Sequence, residues 1–518
     1  MATPNEKLAV ALQVLADRQG EGRHIFLARE FHRDHRERLL RGGYLRRVIK
    51  GWLILSSPEA LPHDTTAWYA SFWEFCARYC AHRFGDRWHI SPELSLRLHA
   101  EDTSVPRQVV VYAERGGNNN VDLPFGMSLF DLKSPHLPLA DIFEREGLRT
   151  YTTEAALLRV PPRFFRDCPI EARTALAGVV QVTGIVQRLL AGNHSTVAGR
   201  LAGAFRHVGR GGFADEIGRA MRQAGYDAFR EVDPFVPENT TRESQMAHVL
   251  RHSAPPIAHR LQALWARMRE PILAALPPPQ GLPASATRQR YLERVSAAYL
   301  DDAYHSLSIE GYQVSPELIE RVRAGAWDPG TDAMDRRQRD ALAARGYWQA
   351  FQSVQESLEE VLGGADPGAV FRVTHGRWHS ELFRPSLEAG LHETFALAGY
   401  RNQPVLLRGS RHVPPRAEIV PDCMETLLDL LEQEEAPAVR AVAGHWMLGY
   451  IHPFADGNGR IGRFLMNIML ASGGYPWTTI RVDDRNEYMA ALEAASVEQD
   501  IAPFAAFVAR CVSLAGSE

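Results

Sequence analysis

The sequence predicts a multidomain chain: an N-terminal winged helix-turn-helix, a mixed α/β middle region, and a C-terminal all-α domain carrying a β-hairpin. Three observations predict it. Residues 1–56 hold three short helix-like runs and then two apolar runs about a Lys50-Gly51 turn. Strand-like runs such as Arg107 to Tyr112 mix with helical ones over 57–235, and from Thr287 onward nearly every run has the helical period. At 518 residues, 45% hydrophobic and 23% charged, the chain can bury several cores and divide into two to four domains.

Composition narrows the function classes. A net charge of −4 excludes a chain that coats nucleic acid along its whole length. Nowhere do eighteen apolar residues run together, and Met1 to Gly20 lacks a basic stretch followed by an apolar one, so the expected setting is the cytoplasm, without a membrane. Five scattered cysteines, Cys76, Cys80, Cys168, Cys423 and Cys511, fit a reducing compartment. Cys76 and Cys80, one helical turn apart, read as buried thiols rather than metal ligands.

In the first domain, Glu6 to Ala16 is periodic, with Leu8, Ala11, Leu12 and Leu15 on one side; Ile25 to Glu30 and His35 to Arg41 read as the second and third helices. After a Gly42-Gly43 break, Tyr44 to Leu55 reads as the hairpin. Ten Arg or Lys face five Asp or Glu between Asp17 and Lys50, an electrostatic footprint for phosphates. Arg33, Arg36 and Arg38 fall on or just before the recognition helix and Arg46, Arg47 and Lys50 on the wing, which makes them the candidate DNA contacts. A solvated face or a protein-docking module would carry similar charge.

The middle region, 57–235, offers strands at Arg107 to Tyr112, Gly126 to Leu132 and Leu148 to Thr152, helices at Thr174 to Ala191 and Phe213 to Ala224, and no catalytic string. Residues 236–285 read as a linker. Pro234 to Asn239 and the proline run Leu276 to Pro283 flank one helix, Ile257 to Arg269, and the run predicts a semi-rigid spacer that holds the last domain at a distance.

Within 286–518, a helix from Thr287 to His305 leads into Ser306-Leu-Ser-Ile-Glu310-Gly311. Apolar residues around Arg408-Gly409-Ser410-Arg411 read as a short hairpin. Ala436 to Gly449 and Arg460 to Ser472 read as two helices, and Tyr450 to Arg463, Y-I-H-P-F-A-D-G-N-G-R-I-G-R, spans the loop between them. A helix start offers unpaired N–H groups and a positive dipole end, and glycines let a phosphate approach that backbone, so Gly457, Asn458 and Gly459 form a candidate anion cradle. Arg460 and Arg463 share the next helix face and can reach a polyphosphate. Asp456 is a hard oxygen ligand suited to Mg2+, and His452 is the candidate general base. Taken singly, a His-Pro, a Gly-Asn-Gly and an arginine pair are a helix-ending turn, a loop turn and a solvated face; their order and spacing carry the functional reading.

That string resembles the Fic family signature, H-P-F-x-[D/E]-G-N-G-R-x-x-R, at every specified position. The resemblance implies an all-α Fic domain that uses ATP and Mg2+ to move AMP onto a Tyr, Ser or Thr hydroxyl of a target protein. His452 would be the base and Asp456 the metal ligand; Gly457, Asn458 and Gly459 would meet the α-phosphate, and Arg460 and Arg463 the β and γ. Ser306, Glu310 and Gly311 match the family's inhibitory [S/T]-x-x-x-E-[G/N], which implies a bidentate Glu310–Arg463 pair that keeps the γ-phosphate out. Arg485 to Tyr488 resembles its R-x-x-Y run, placing Asn486 and Tyr488 beside the adenosine. The hairpin Arg408, Gly409, Ser410, Arg411 would be the flap that adds a target segment as an extra strand. Leu40, Gly43, Leu45, Arg47 and Gly51, with Thr152 to Leu157, resemble AbiEi-type antitoxins, which implies DNA as a second partner. A homodimer is left open. Two rival readings keep the same residues: a DNA-bound regulator with a silent or sensing Fic domain, and an enzyme that removes AMP from its target.

Overall fold

The computed structural model describes residues 3–20, 22–59, 64–135, 137–226, 229–236, 255–282, 285–325, 335–390 and 399–517. Of the linker expected over 236–285, Pro237 to Asn239 and Pro283 lie outside the described residues. The chain forms two compact units, one of Met1–Arg260 with Leu406–Val413, the other of Leu261–Val405 with Pro414–Glu518.

In the first unit, α1 (Pro4–Gln19) starts on a capping box: the Thr3 amide donates to Glu6 at 2.7 Å and the Glu6 amide to the Thr3 hydroxyl at 3.2 Å. Then come β1 (Ile25–Leu27), a short 3-10 turn at Ala28–Glu30, α2 (Arg33–Arg41), β2 (Leu45–Arg47) and β3 (Trp52–Leu55). The second helix expected over Ile25 to Glu30 is therefore half strand, Ile25–Leu27, and half a single 3-10 turn, Ala28–Glu30. β1 pairs antiparallel with β3, Ile25 opposite Ile54, and Ile25 and Phe26 are both buried; three apolar residues in a row carry no period to separate helix from strand. The sheet order is β1-β3-β2, and Ala11, Leu15, Phe26, Phe31, Leu39 and Leu53 close the core beneath it.

A second core gathers around α3 (Thr66–Phe84), β4 (Trp88–Ile90), α4 (Pro92–His99), β5 (Gln108–Ala113), β6 (Asn119–Leu123) and β7 (Met127–Lys133). Its sheet runs β4-β5-β7-β6, with β5 and β7 parallel. Cys76 and Cys80 lie in this core as buried free thiols, and burial pushes both pKa values up. β8 (Ile142–Arg145) and β9 (Leu148–Tyr151) pair as a ribbon, followed by α5 (Thr153–Arg159), α6 (Phe164–Asp167), α7 (Pro169–Gly178), α8 (Thr183–Ala191), α9 (Ser195–His207) and α10 (Gly211–Gln223). The single helix expected from Thr174 to Ala191 is α7 and α8, bent by 109°. Val179 leaves the helical conformation there, and both Val179 and Val182 enter the core.

Residues 406–413 also belong to this unit. The Val105 amide donates to the Arg411 carbonyl at 2.9 Å, the Thr103 hydroxyl to that of Val413, and Val413 packs on the second core. The segment turns where the Ser410 amide meets the Leu407 carbonyl at 3.2 Å, with Gly409 at φ +77°, but it forms no strand. The expected β-hairpin flap is thus an irregular excursion: Pro404, Pro414 and Pro415 lack the N–H groups a ladder needs.

The second unit takes up most of α11 (Pro256–Ala275), then α12 (Ser285–Ile309), α13 (Pro316–Arg323), α14 (Asp335–Leu362), α15 (Pro367–Glu388), α16 (Val420–Gln433), α17 (Pro437–Ile451), α18 (Asn458–Ser472), α19 (Arg485–Glu493) and α20 (Ala502–Ser517). α17 and α18 are buried on almost every face, which is why their sequences are apolar all round. The proline run is not a free spacer. The Gln280 and Gly281 amides donate to the Gly473 carbonyl at 2.9 and 3.1 Å, and the Tyr475 hydroxyl donates to the Pro277 carbonyl at 2.6 Å. Among the described residues no single helix is long and apolar enough to cross a membrane.

Candidate active site

α17 stops at Ile451 because His452 turns left-handed, at φ 52° and ψ 60°, an uncommon and strained conformation for a residue with a Cβ. The His452 amide still donates back to Leu448 at 2.8 Å. The His452 carbonyl accepts from Arg401 Nε at 2.7 Å. Phe454 turns inward, buried, with its ring 3.9 Å from that of His379 on α15 and nearly parallel to it. Asn458 accepts from the Phe454 amide at 2.9 Å and donates to the Phe454 carbonyl at 2.8 Å. Its side chain therefore braces the loop, while its backbone amide lies in the first turn of α18. His379 Nε2 lies 3.1 Å from the Asp456 carbonyl, which puts the ring proton on that nitrogen.

Gly457 starts α18 at φ +87°, and a Cβ there would come within 2.9 Å of the Phe383 ring. Asp456 is half exposed; its Oδ1 accepts from the Gly457 amide at 2.5 Å and lies 3.3 Å from Arg460 Nη2. The buried Arg460 guanidinium sits 5.0 Å from the Phe383 ring centre and 5.4 Å from that of Tyr312.

Arg463 is where the upstream motif enters. Its Nε donates to the Ser306 hydroxyl at 2.8 Å, and Nη2 donates to the Ser306 carbonyl at 3.1 Å and to Glu310 Oε1 at 2.7 Å. The pair is thus not the expected fork: one carboxylate oxygen meets one nitrogen, and Ser306 takes the rest. Arg463 Nη1 is buried and has no hydrogen-bond partner among the described residues. Gly311, at φ +88°, ends α12, and the Tyr312 amide folds back to the Leu307 carbonyl at 3.1 Å, which aims Glu310 at α18. A Cβ on Gly459 would lie 2.3 Å from Glu310 Oε1, so the carboxylate rests against the first turn of α18. It sits where N–H groups and dipole favour an anion.

Electrostatics follow from this packing. Burial opposes the charge on Arg463, but Glu310 outweighs it and holds the guanidinium above its ordinary pKa. Burial lowers His452 to about 4, with Arg401 adding to the fall and Glu310 and Asp456 acting against it. His379 and His445 are likewise lowered by burial to about 4. Tyr488 is buried against Phe504 and Phe507, and its hydroxyl lies 2.7 Å from His445 Nε2. It packs against α17 through His445, whereas Asn486 is exposed on α19. Arg401, His379, His445, Phe383 and Tyr312 were not singled out from the sequence; no short motif marks them.

Among the described residues no group of three or more His, Cys, Asp or Glu could hold a metal ion. Asp456, a lone half-exposed carboxylate beside the cradle, fits a Mg2+ that takes its other oxygens from a nucleotide and water. In the first unit, Arg33 is exposed and paired with Glu37 at 2.9 Å, Arg36 Nη1 donates to the Ala28 carbonyl at 2.9 Å, and Arg46 Nη1 to that of Asp64 at 3.3 Å. Arg36, Arg47 and Lys50 line a cleft of about 490 Å³ with Leu40, Ile49 and Trp52. Arg38 lies on α2, half-buried and outside that lining.

α17, the 452–457 loop and α18 form a helix–loop–helix whose second helix starts on the left-handed Gly457. Residues 375–470 match the model of the Fic/DOC family, and the chain carries a Fic domain there. The Nematostella vectensis protein adenylyltransferase Fic is 32% identical over 225 residues, 42% of this chain and 48% of that protein. That of Aedes aegypti is 30% identical over 230 residues, 41% of this chain and 40% of that protein. The chain thus spans under half the length of these relatives. A solved structure of Fic-1 from C. elegans is 20% identical, covering 67% of this chain and 94% of that one with a TM-score of 0.36, too low to bear on the fold.

Proposed function

We propose that the chain is a protein adenylyltransferase that moves AMP from ATP to a Tyr, Ser or Thr hydroxyl of a target protein and is held off by Glu310. The observation that carries this reading is the seat of the Glu310 carboxylate: against Gly459 and 2.7 Å from Arg463, it takes the place of an anionic ligand. The relatives' name, protein adenylyltransferase, supports AMP as the group transferred.

His452, neutral at physiological pH because burial lowers it to about 4, takes the proton of the incoming hydroxyl. The hydroxyl oxygen bonds to the α-phosphorus, the bond from that phosphorus to the bridging oxygen breaks, and pyrophosphate leaves with the electron pair. The amides of the first turn of α18 stabilise charge on the α-phosphate; Arg460 and the spare Nη1 of Arg463 hold the β and γ. Mg2+, when bound with ATP at Asp456, neutralises phosphate charge. Glu310 withholds Arg463 and crowds the cradle, so basal activity is low.

The test is transfer of label to protein from ATP labelled at the α-phosphate, compared with ATP labelled at the γ. The α label alone should transfer, more with Glu310→Gly than with wild type and not at all with His452→Ala. Equal labelling by all three proteins would sink the assignment.

A second reading concerns the N-terminal unit. The cationic cleft of Arg36, Arg47 and Lys50, beside the exposed Arg33, supports salt-dependent contact with DNA phosphates, in the manner of an antitoxin-like winged helix. The transferase would then be coupled to a DNA-bound regulator in the cytoplasm.

A further inference from the structure

Arg401 is a buried arginine, 6% exposed, that no motif marks, and its hydrogen bonds fall into two sets. One set reaches the catalytic loop. Nε donates to the His452 carbonyl at 2.7 Å, Nη2 to the Ile451 carbonyl at 3.3 Å, and the Arg401 amide to the Pro453 carbonyl at 2.8 Å. The other set holds the two stems of the 402–414 excursion: Nη1 donates to the Gln403 carbonyl at 3.1 Å and Nη2 to the Pro415 carbonyl.

Two physical consequences follow. The last carbonyls of α17 lack intrahelical partners and sit at the negative end of its dipole, so a guanidinium that satisfies two of them is well placed electrostatically. The left-handed His452 is a strained residue whose conformation persists only because its neighbours over-determine it. Arg401 grips the carbonyl on either side of that residue and its own. The same planar, five-donor group spans the excursion stems, so the stems cannot shift without pulling on the His452 backbone.

We propose that Arg401 is a positioning residue through which the stems of the 402–414 excursion, at Gln403 and Pro415, set the backbone, and so the imidazole, of His452. This rests on the reading of His452 as the base in the proposed transfer. Arg401 touches no nucleotide-binding residue, so its effect falls on transfer and not on ATP binding. A displacement of about 1 Å at a reacting group can cost on the order of 100-fold in rate.

The experiment uses the full chain in the Glu310→Gly background, α-labelled ATP, and a His452→Ala copy of the chain as protein acceptor. Arg401→Gln should lower kcat by about 10- to 100-fold while KM for ATP and the Kd of a fluorescent ATP analogue stay within about threefold. Arg401→Lys, which keeps the charge but not the fork, should recover part of the loss. A purely structural arginine would lower kcat, nucleotide binding and Tm together, in Arg401→Lys as in Arg401→Gln, and that result overturns the proposal. So does an Arg401→Gln protein with the kcat of its parent. A parent that transfers no α label removes the function on which the proposal stands, and the two failures are told apart by that control.

Discussion

Removing Glu310 should release the site by an amount set by one charge-assisted hydrogen bond. Arg463 is buried, and the side chain of Glu310 is about a quarter exposed at 28%; their contact is 2.7 Å. A hydrogen bond to a charged partner contributes about 1.5 to 3 kcal/mol, and every 1.4 kcal/mol is tenfold, so the competition for Arg463 corresponds to about 10- to 150-fold. Glu310→Gly should therefore tighten ATP binding and raise α-label transfer by about 10- to 100-fold. The same change leaves Ser306 as the side-chain hydrogen-bond partner of Arg463 and removes its nearest carboxylate, and a buried charge that loses its partner is destabilising. Tm without nucleotide should fall, and ATP should restore it, since the phosphates supply the missing charge. Glu310→Gln, which keeps size and drops charge, should fall between the two proteins in both assays. Unchanged ATP affinity in Glu310→Gly, with no gain in transfer, would refute the reasoning that the carboxylate competes with the nucleotide.

Three other outcomes follow from the same geometry. His379, His445 and His452 stay neutral in the folded state down to about 4 but take protons near 6.5 when unfolded, so stability is lost as pH falls from about 6.5 towards 4. Asp302, raised by burial to about 6 against the pull of Tyr347 and Arg463, works the other way; these three histidines less one aspartate give a net two protons, or about 3 kcal/mol per pH unit from these four groups. Thermal melts between pH 6.5 and 4.5 check this, and a flat Tm would contradict it. Gly457→Ala meets both a left-handed backbone and the Phe383 ring; it should cost about 2 kcal/mol or more in urea unfolding and abolish ATP binding. Arg47→Glu combined with Lys50→Glu should lower the salt slope of DNA binding by about two in a titrated gel shift, while a slope equal to wild type would remove those residues from the interface.

The candidate loop was legible because its side chains are close in sequence. The two helices around it were legible too, since α17 and α18, at 15 residues each, are apolar runs too long for a buried strand. The link between Glu310 and Arg463 came from motif spacing and resemblance; its single-oxygen geometry and the share taken by Ser306 depend on where α12 ends, which a motif does not state. Arg401 was hidden for a different reason. Its partners are backbone carbonyls, and a carbonyl has no signature in the sequence. Asn458 illustrates the converse, a motif residue whose side chain is spent on Phe454. At Ile25 to Leu27 the run was too short to carry a period, and at 404–415 the prolines forbade the ladder that the apolar residues suggested.

The excursion at Leu406–Val413 bears on how this chain can be divided. Those residues pack with a unit whose remaining sequence ends at Arg260, so the two compact bodies interleave along the chain. A truncation near residue 260 would leave Arg411 and Val413 without Val105 and Thr103, although every residue of the signature string would be present. Cloning boundaries chosen from the motif alone would thus yield a fragment with an intact 452–463 string and an unsupported 406–413 segment. Limited proteolysis within 406–413 would cut both bodies at once.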